Sequence, residues 1–307
     1  MVDIRTINSG AEEHPRVQDG EGWREAPTRF AAKDGRPLVG AWTLPGRRAP
    51  RSAIALHPAT GVPARYYRVF ARWLAAERDA AVLLYDYRDS GASQPRSLRG
   101  VATTMSDWGI LDQGGALTHA AETFPEAPLR VLGHSLGGHW LAFHDDIARV
   151  DRVTAVASGP IHWRAHPLAK WPAVATLWWL AGPAATAALG YFPGSRLGLG
   201  ADLPAGVFWQ WRRWCLTPGF ATADWGRSLP EPRRERARFA LHLVAIEDDW
   251  MMPPDVVWRL ADYYPAARVT RALIEPRRLG LRSVGHLAAF RERNRVAWPL
   301  ITDALTA

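Results

Sequence analysis

The chain has 307 residues, 48% of them hydrophobic, and a formal net charge of +8. That length suits one large α/β domain with an insertion or two smaller domains, and the apolar content suits a full core. The basic residues are almost all arginines, with Lys33 and Lys170 the only lysines, and they are scattered rather than blocked, which speaks against a nucleic-acid partner. One cysteine, Cys215, excludes an internal disulfide. The opening stretch MVDIRTINSGAEEHPRV has no apolar run of the secretory kind, so the expected location is cytoplasmic.

Residues 1–25 are polar and irregular and read as an N-terminal arm. LVGAWTLP (38–45) and SAIALHP (52–58) are short apolar runs closed by proline, the pattern of strands. ARYYRVFARWLAAERD (64–79) carries helical spacing through Tyr67, Phe70, Ala71 and Leu74. AAVLLYDY (80–87) is a buried strand, followed by a turn-rich stretch and a helix over 106–124. A strand then ends in Val131 and Leu132, and LGGHWLAFHDDIARV predicts the helix after it. RVTAVAS (152–158), ALHLVAI (240–246) and ARVTRALI (267–274) are further strands, with helices near 254–264 and from about 287. Apolar strands alternating with helices predict an α/β fold, a mostly parallel sheet with helices on both faces. Ligands of such sheets bind beyond the carboxyl ends of the strands.

Residues 160–236 interrupt this alternation. They hold eight of the sixteen tryptophans, and from Trp171 to Ser195 there is no charged residue. That length would suit a membrane span. Pro172, Gly182, Pro183, Gly190 and Pro193 break it, however, and it lies between strands that should share one sheet. A Trp-rich helical cap over a core of residues 26–159 and 237–307 is the expected organisation.

Gly133-His134-Ser135-Leu136-Gly137 fits G-x-S-x-G at a strand end. Flanking glycines let backbone approach closely around a strained serine. A serine hydroxyl needs a base to take its proton and an acid to orient the base. Both should follow at later strand ends, in the order serine, acid, histidine. After AIEDDWMMPP the candidates for the acid are Asp248 and Asp249, and Gly285-His286 supplies the base. Two backbone N–H groups must also face the developing oxyanion. Leu136 should give one; in His57-Pro58-Ala59-Thr60-Gly61 Pro58 has no N–H, so Ala59 is the candidate for the other. His139, His144, Asp145 and Asp146 do not share one helical face, and His162 with His166 lack a third ligand, so no metal is expected.

These segments resemble the α/β-hydrolase superfamily, and the likeness runs from about residue 28 to 306. GHSLGG resembles the nucleophile elbow of serine esterase- and lipase-like members, and HPATG resembles their H-G-x-x-G oxyanion loop with proline for glycine. DYRDSGAS resembles D-x-R-G-x-G-x-S, with Asp89 where glycine is usual. EDDWMMPP resembles the acid loop, and its register to Pro253 gives the acid role to Asp249. The likeness is strongest to a poorly characterised bacterial subgroup of predicted hydrolases. It implies hydrolysis of a small or medium apolar carboxylic ester through an acyl-enzyme, with Ser135, Asp249 and His286 catalytic and no cofactor. Amide or carbon–carbon bond cleavage, or a ligand-binding member without turnover, are the alternatives. The cap could also rest weakly on a membrane surface, helped by the positive charge.

Overall fold

Strands that carry apolar side chains on both faces need cover on both faces, and the chain supplies it by alternating them with helices. The computed structural model describes residues 18–307. The chain starts with β1 (Gln18–Gly20), β2 (Trp23–Ala31) and β3 (Pro37–Pro45), an antiparallel meander. Residues 18–20 and 23–25 of the expected irregular arm are therefore sheet; residues 1–17 lie outside the described residues. The sequence hides β2 because Glu25 and Pro27 break its alternation. Glu25 is nevertheless 4% exposed, its two oxygens met by Arg68 at 2.5 Å and Arg72 at 2.8 Å.

β4 (Ser52–His57) is followed by a single turn and α1 (Arg68–Arg78), then by β5 (Ala80–Tyr85). A widened turn at 107–112 runs into α2 (Gln113–Thr123), which leads to β6 (Leu129–His134) and β7 (Val150–Val156). Every residue of β4, β5 and β6 is buried. The segment after β7 contains α3 (Trp171–Ala175), a widened turn at 176–181, α4 (Gly182–Leu189), β8 (Tyr191–Phe192), α5 (Gly194–Leu197), β9 (Leu203–Pro204) and α6 (Ala205–Leu216). The sheet resumes with β10 (Ala240–Ile246), α7 (Pro254–Trp258), β11 (Arg268–Ile274), α8 (Gly285–Ala288) and α9 (Trp298–Thr306). Nine strands form one sheet in the order β1-β2-β3-β5-β4-β6-β7-β10-β11, parallel from β5 onward. The small β8–β9 pair stands apart from it.

The helix expected after Ser135 is not a continuous α-helix. Short tight turns cover Ser135–Gly138, Leu141–Phe143 and Asp145–Arg149 instead. The reason is burial. All seven residues from Leu136 to Ala142 are buried, whereas a surface helix can turn only about half of its circumference inward. Among the described residues no helix is long and apolar enough to cross a membrane.

Candidate active site

Ser135 follows the last residue of β6 and sits at φ +54°, in the left-handed region that side chains usually avoid. The turn is tight enough to require glycine on both sides. A Cβ on Gly133 would come 2.6 Å from the Gly137 carbonyl carbon, and one on Gly137 would come 2.2 Å from the His57 carbonyl oxygen. From the neighbouring strand end, the buried Ser158 Oγ donates to the Ser135 carbonyl at 2.5 Å. The serine is thus held from both flanks.

Asp249 follows β10, and its N–H returns to the Ile246 carbonyl at 3.1 Å. Its side chain is fully buried. One carboxylate oxygen accepts the N–H groups of Met251 at 2.9 Å and Met252 at 3.1 Å, and the other lies 2.7 Å from His286 Nδ1. His286 Nε2 lies 3.0 Å from Ser135 Oγ. A carboxylate can only accept, so Nδ1 carries the ring proton and Nε2 is left to accept from the serine. The three residues named from the sequence therefore lie in one hydrogen-bond chain.

Asp248, the rival for the acid, has a different place. Its two oxygens accept the Val284 N–H at 2.9 Å and the Gly285 N–H at 2.8 Å, fixing the loop that carries His286. Sequence reasoning gives it no such task. The signal is present only as an acidic pair, which does not say which neighbour each member meets.

A family model described as serine aminopeptidase, S33, matches residues 48–196. No curated protein matches the sequence. Among solved structures, an esterase of Pyrococcus furiosus is similar over 95% of this chain and 100% of its own, with 15% identity and a TM-score of 0.54. Brefeldin A esterase, described as a bacterial homologue of human hormone-sensitive lipase, matches over 99% of this chain and 82% of its own, at 16% identity and TM-score 0.57. A hydrolase from Pseudomonas aeruginosa matches over 90% and 98%, at 20% identity and TM-score 0.51. The chain has the α/β-hydrolase fold.

The chain departs from the expected oxyanion loop at Ala59. The Ala59 N–H is already engaged, donating to Tyr67 Oη at 3.0 Å. That hydroxyl in turn faces His134 Nδ1 at 2.7 Å, and His134 Nε2 faces the His286 carbonyl at 2.9 Å. The carbonyl needs a donor, so Nε2 carries the proton, Nδ1 accepts from Tyr67, and Tyr67 Oη is free to accept from Ala59. Burial, and then the neighbouring His286, lower the His134 pKa to about 3, so the ring stays neutral. The Ala59 N–H is thus the first member of a buried hydrogen-bond line that ends on the His286 carbonyl. His134, to which the sequence pattern assigns no role, is its middle. The next residue, Thr60, faces the cavity, and no hydrogen bond to its N–H is formed among the described residues. Leu136 is the second residue of the turn at Ser135, where the first N–H groups have no partner within the turn.

Asp89 explains another departure. It stands at φ +57°, where aspartate is better tolerated than most side chains, and its carboxylate meets Arg36 and Thr103, each at 2.5 Å.

A cavity of about 680 Å³ reaches Ser135 and His286. Its walls are mainly apolar, with Ile161, Val174, Leu177 and Trp178 coming from the inserted segment. His139 adds a buried, neutral ring, its pKa lowered to about 3 by burial, set edge-on to Phe220 and Tyr263. Among the described residues no three His, Cys, Asp or Glu side chains are grouped to hold a metal ion. His166 Nδ1 instead faces the Trp250 carbonyl at 3.2 Å, and His162 accepts the Arg164 N–H.

Proposed function

We propose that this protein is a serine hydrolase that cleaves carboxylic esters of small or medium apolar compounds. The observation that carries this reading is the Ser135–His286–Asp249 chain, at 3.0 and 2.7 Å, opening on a mainly apolar cavity. Ser135 Oγ attacks the ester carbonyl while His286 Nε2 takes its proton. Asp249 keeps the imidazole in the accepting tautomer and stabilises the charge that forms. The proton then passes from Nε2 to the leaving alcohol. Water attacks the acyl-enzyme with the same histidine as base, and Ser135 leaves as the free alcohol.

The developing oxyanion needs two donors, each worth on the order of 3 kcal/mol in acyl transfer. Leu136 N–H fills one place. For the other, Thr60 N–H is the better candidate, because Tyr67 occupies the Ala59 N–H. Residues 160–236 serve as the cap, since apolar side chains along the segment, from Ile161 to Phe220, line the cavity that reaches Ser135.

Amide cleavage is the second reading, favoured by the aminopeptidase description of the matching family model. An aminopeptidase must neutralise a substrate ammonium. Among the described residues the only carboxylate lining this cavity is Asp248, already tied to two backbone N–H groups, while Lys170 and Arg293 line it too. That balance suits an ester better than a free amine. Fluorophosphonate labelling, together with hydrolysis of p-nitrophenyl esters beside aminoacyl anilides, tests the choice. Labelling with ester turnover is expected; absence of labelling would leave a ligand-binding protein, and faster anilide cleavage would make it a peptidase.

A further inference from the structure

The inserted segment has a second face, away from the cavity, and that face lacks an ordinary surface. From Trp171 to Leu189 the chain is helical, through α3, the widened turn and α4. Val174, Trp178, Gly182 and Thr186 recur every four residues and are buried. The opposite side is exposed, and Pro172, Ala173, Thr176, Trp179, Leu180 and Ala184 give it no charged group. A helix with one side packed and the other in water normally carries charge on the wet side. Here Trp179 is 48% exposed and Leu180 67%.

The apolar surface extends beyond the helix. The Trp163 ring lies 5.2 Å from Trp171 and 5.0 Å from Trp179. Nearby, Leu168 is 74% exposed and Trp250 39%. Two cations are set into this aromatic surface: Arg164 lies over Trp163 at 5.2 Å and Lys170 over Trp250 at 5.0 Å. Between Pro160 and Ala201 the chain has Arg164, Lys170 and Arg196 and no acidic residue. Lys170 and Trp250 also line the cavity that reaches Ser135, so this surface borders its mouth.

We propose that this face docks on a membrane surface that contains anionic lipid. Tryptophan and leucine can enter the boundary between headgroups and acyl chains, while the interleaved cations meet lipid phosphate and carboxylate. Charge separates this occupant from a second copy of the chain. A two-fold contact would set the same patch against itself, bringing Arg164 and Lys170 toward their own copies with no acid to receive them. An anionic bilayer provides the complement. Docking would set the cavity mouth beside the lipid phase, where apolar esters concentrate.

The experiment is sedimentation of the full-length protein with phosphatidylcholine vesicles made with and without phosphatidylserine. Binding is expected with phosphatidylserine and should weaken as salt screens the cations. Trp179→Ser combined with Leu180→Ser should lower the partition coefficient by at least about tenfold, because two large apolar side chains lose their burial. Arg164→Gln should lower it by about fivefold on anionic vesicles only, the share of one cation near a charged surface. None of these residues lines the cavity, so hydrolysis of a water-soluble ester and the melting temperature should stay at the parent values. Ser135→Ala should bind vesicles as the parent does, which keeps this test separate from the catalytic reading. No binding at low salt, or binding indifferent to the Trp179/Leu180 change, overturns the proposal. Equal binding without phosphatidylserine overturns the anionic assignment. Self-association that the same double substitution abolishes would assign the face to a second copy.

Discussion

Asp248 and Asp249 are adjacent carboxylates with opposite consequences on amidation. In Asp249→Asn the two backbone bonds from Met251 and Met252 can be kept only by the amide oxygen. The amide NH₂ then turns to His286 Nδ1, the atom that faces the carboxylate at 2.7 Å in the parent. An NH₂ donates and cannot accept, so Nδ1 gives up its proton and Nε2 takes it. Nε2–H would then point at Ser135 Oγ as a donor, and the base is in the wrong tautomer. That fault costs about 10⁴ in kcat in triad enzymes, or about 5.5 kcal/mol of barrier. In Asp248→Asn the amide oxygen can keep one of the two N–H groups of Val284 and Gly285, and the other faces an NH₂. Losing one charge-assisted bond is worth about 1.5–3 kcal/mol. If all of it falls on the placement of His286, kcat drops by about 10- to 100-fold. The assay is kcat and KM on a soluble p-nitrophenyl ester, beside thermal melts. Asp249→Asn keeping more than about a tenth of the rate, or Asp248→Asn losing more than Asp249→Asn, would refute this assignment of roles.

Ser135→Ala should abolish ester turnover and fluorophosphonate labelling and leave the melting temperature unchanged, since alanine has the same Cβ at φ +54°. The rate constant kcat/KM should rise from acetate toward medium-chain esters, by about tenfold for two added carbons at roughly 0.8 kcal/mol per buried methylene. A flat profile in the same p-nitrophenyl series would show that the cavity does not hold the acyl chain. Stability should fall in mild acid. His134, His139 and His144 are buried, and burial lowers their pKa values from the ordinary 6.5 to about 3. Each is neutral in both the folded and the unfolded chain above pH 6.5; below it the unfolded chain binds a proton that the folded one refuses. Well below that pH each costs about 1.4 kcal/mol per pH unit, so three can take away roughly 5 kcal/mol between pH 6.5 and 5. Urea midpoints across this range check it, and a midpoint independent of pH would contradict the burial of these rings.

The parts of the fold that show plainly in the sequence are those where one local signal decides. β4, β5 and β6 are buried at every position, so an unbroken apolar run marks each of them. β2 is invisible because its buried Glu25 depends on Arg68 and Arg72, more than forty residues away. No window along the chain contains that pair. The stretch after Ser135 fails for the opposite reason. His139, Trp140, Leu141 and Ala142 suit a helix by local pattern, but all four are buried, with Phe220 against His139 and Trp214 against Trp140.

The site divides in the same way. Ser135, Asp249 and His286 are named from order and spacing because Ser135 and Asp249 stand just past strand ends and His286 opens the short helix that follows the last strand. Ala59 is different: its N–H direction depends on Tyr67, and Tyr67 depends on His134. Both residues carry ordinary local explanations, one as a helix-facing aromatic and the other as the variable position of G-x-S-x-G. Only in three dimensions do they form a buried line from Ala59 to the carbonyl of His286. That line joins the turn preceding Thr60 to His286, the base of the proposed mechanism. It gives a physical reason for His134 to be a histidine: no other neutral side chain accepts at one end and donates at the other across a rigid ring. Breaking it at Tyr67 would leave the Ala59 N–H and His134 Nδ1 unpaired in a buried site, about 1–3 kcal/mol for each lost partner. The strain would therefore fall on the 57–61 loop and on His286 together.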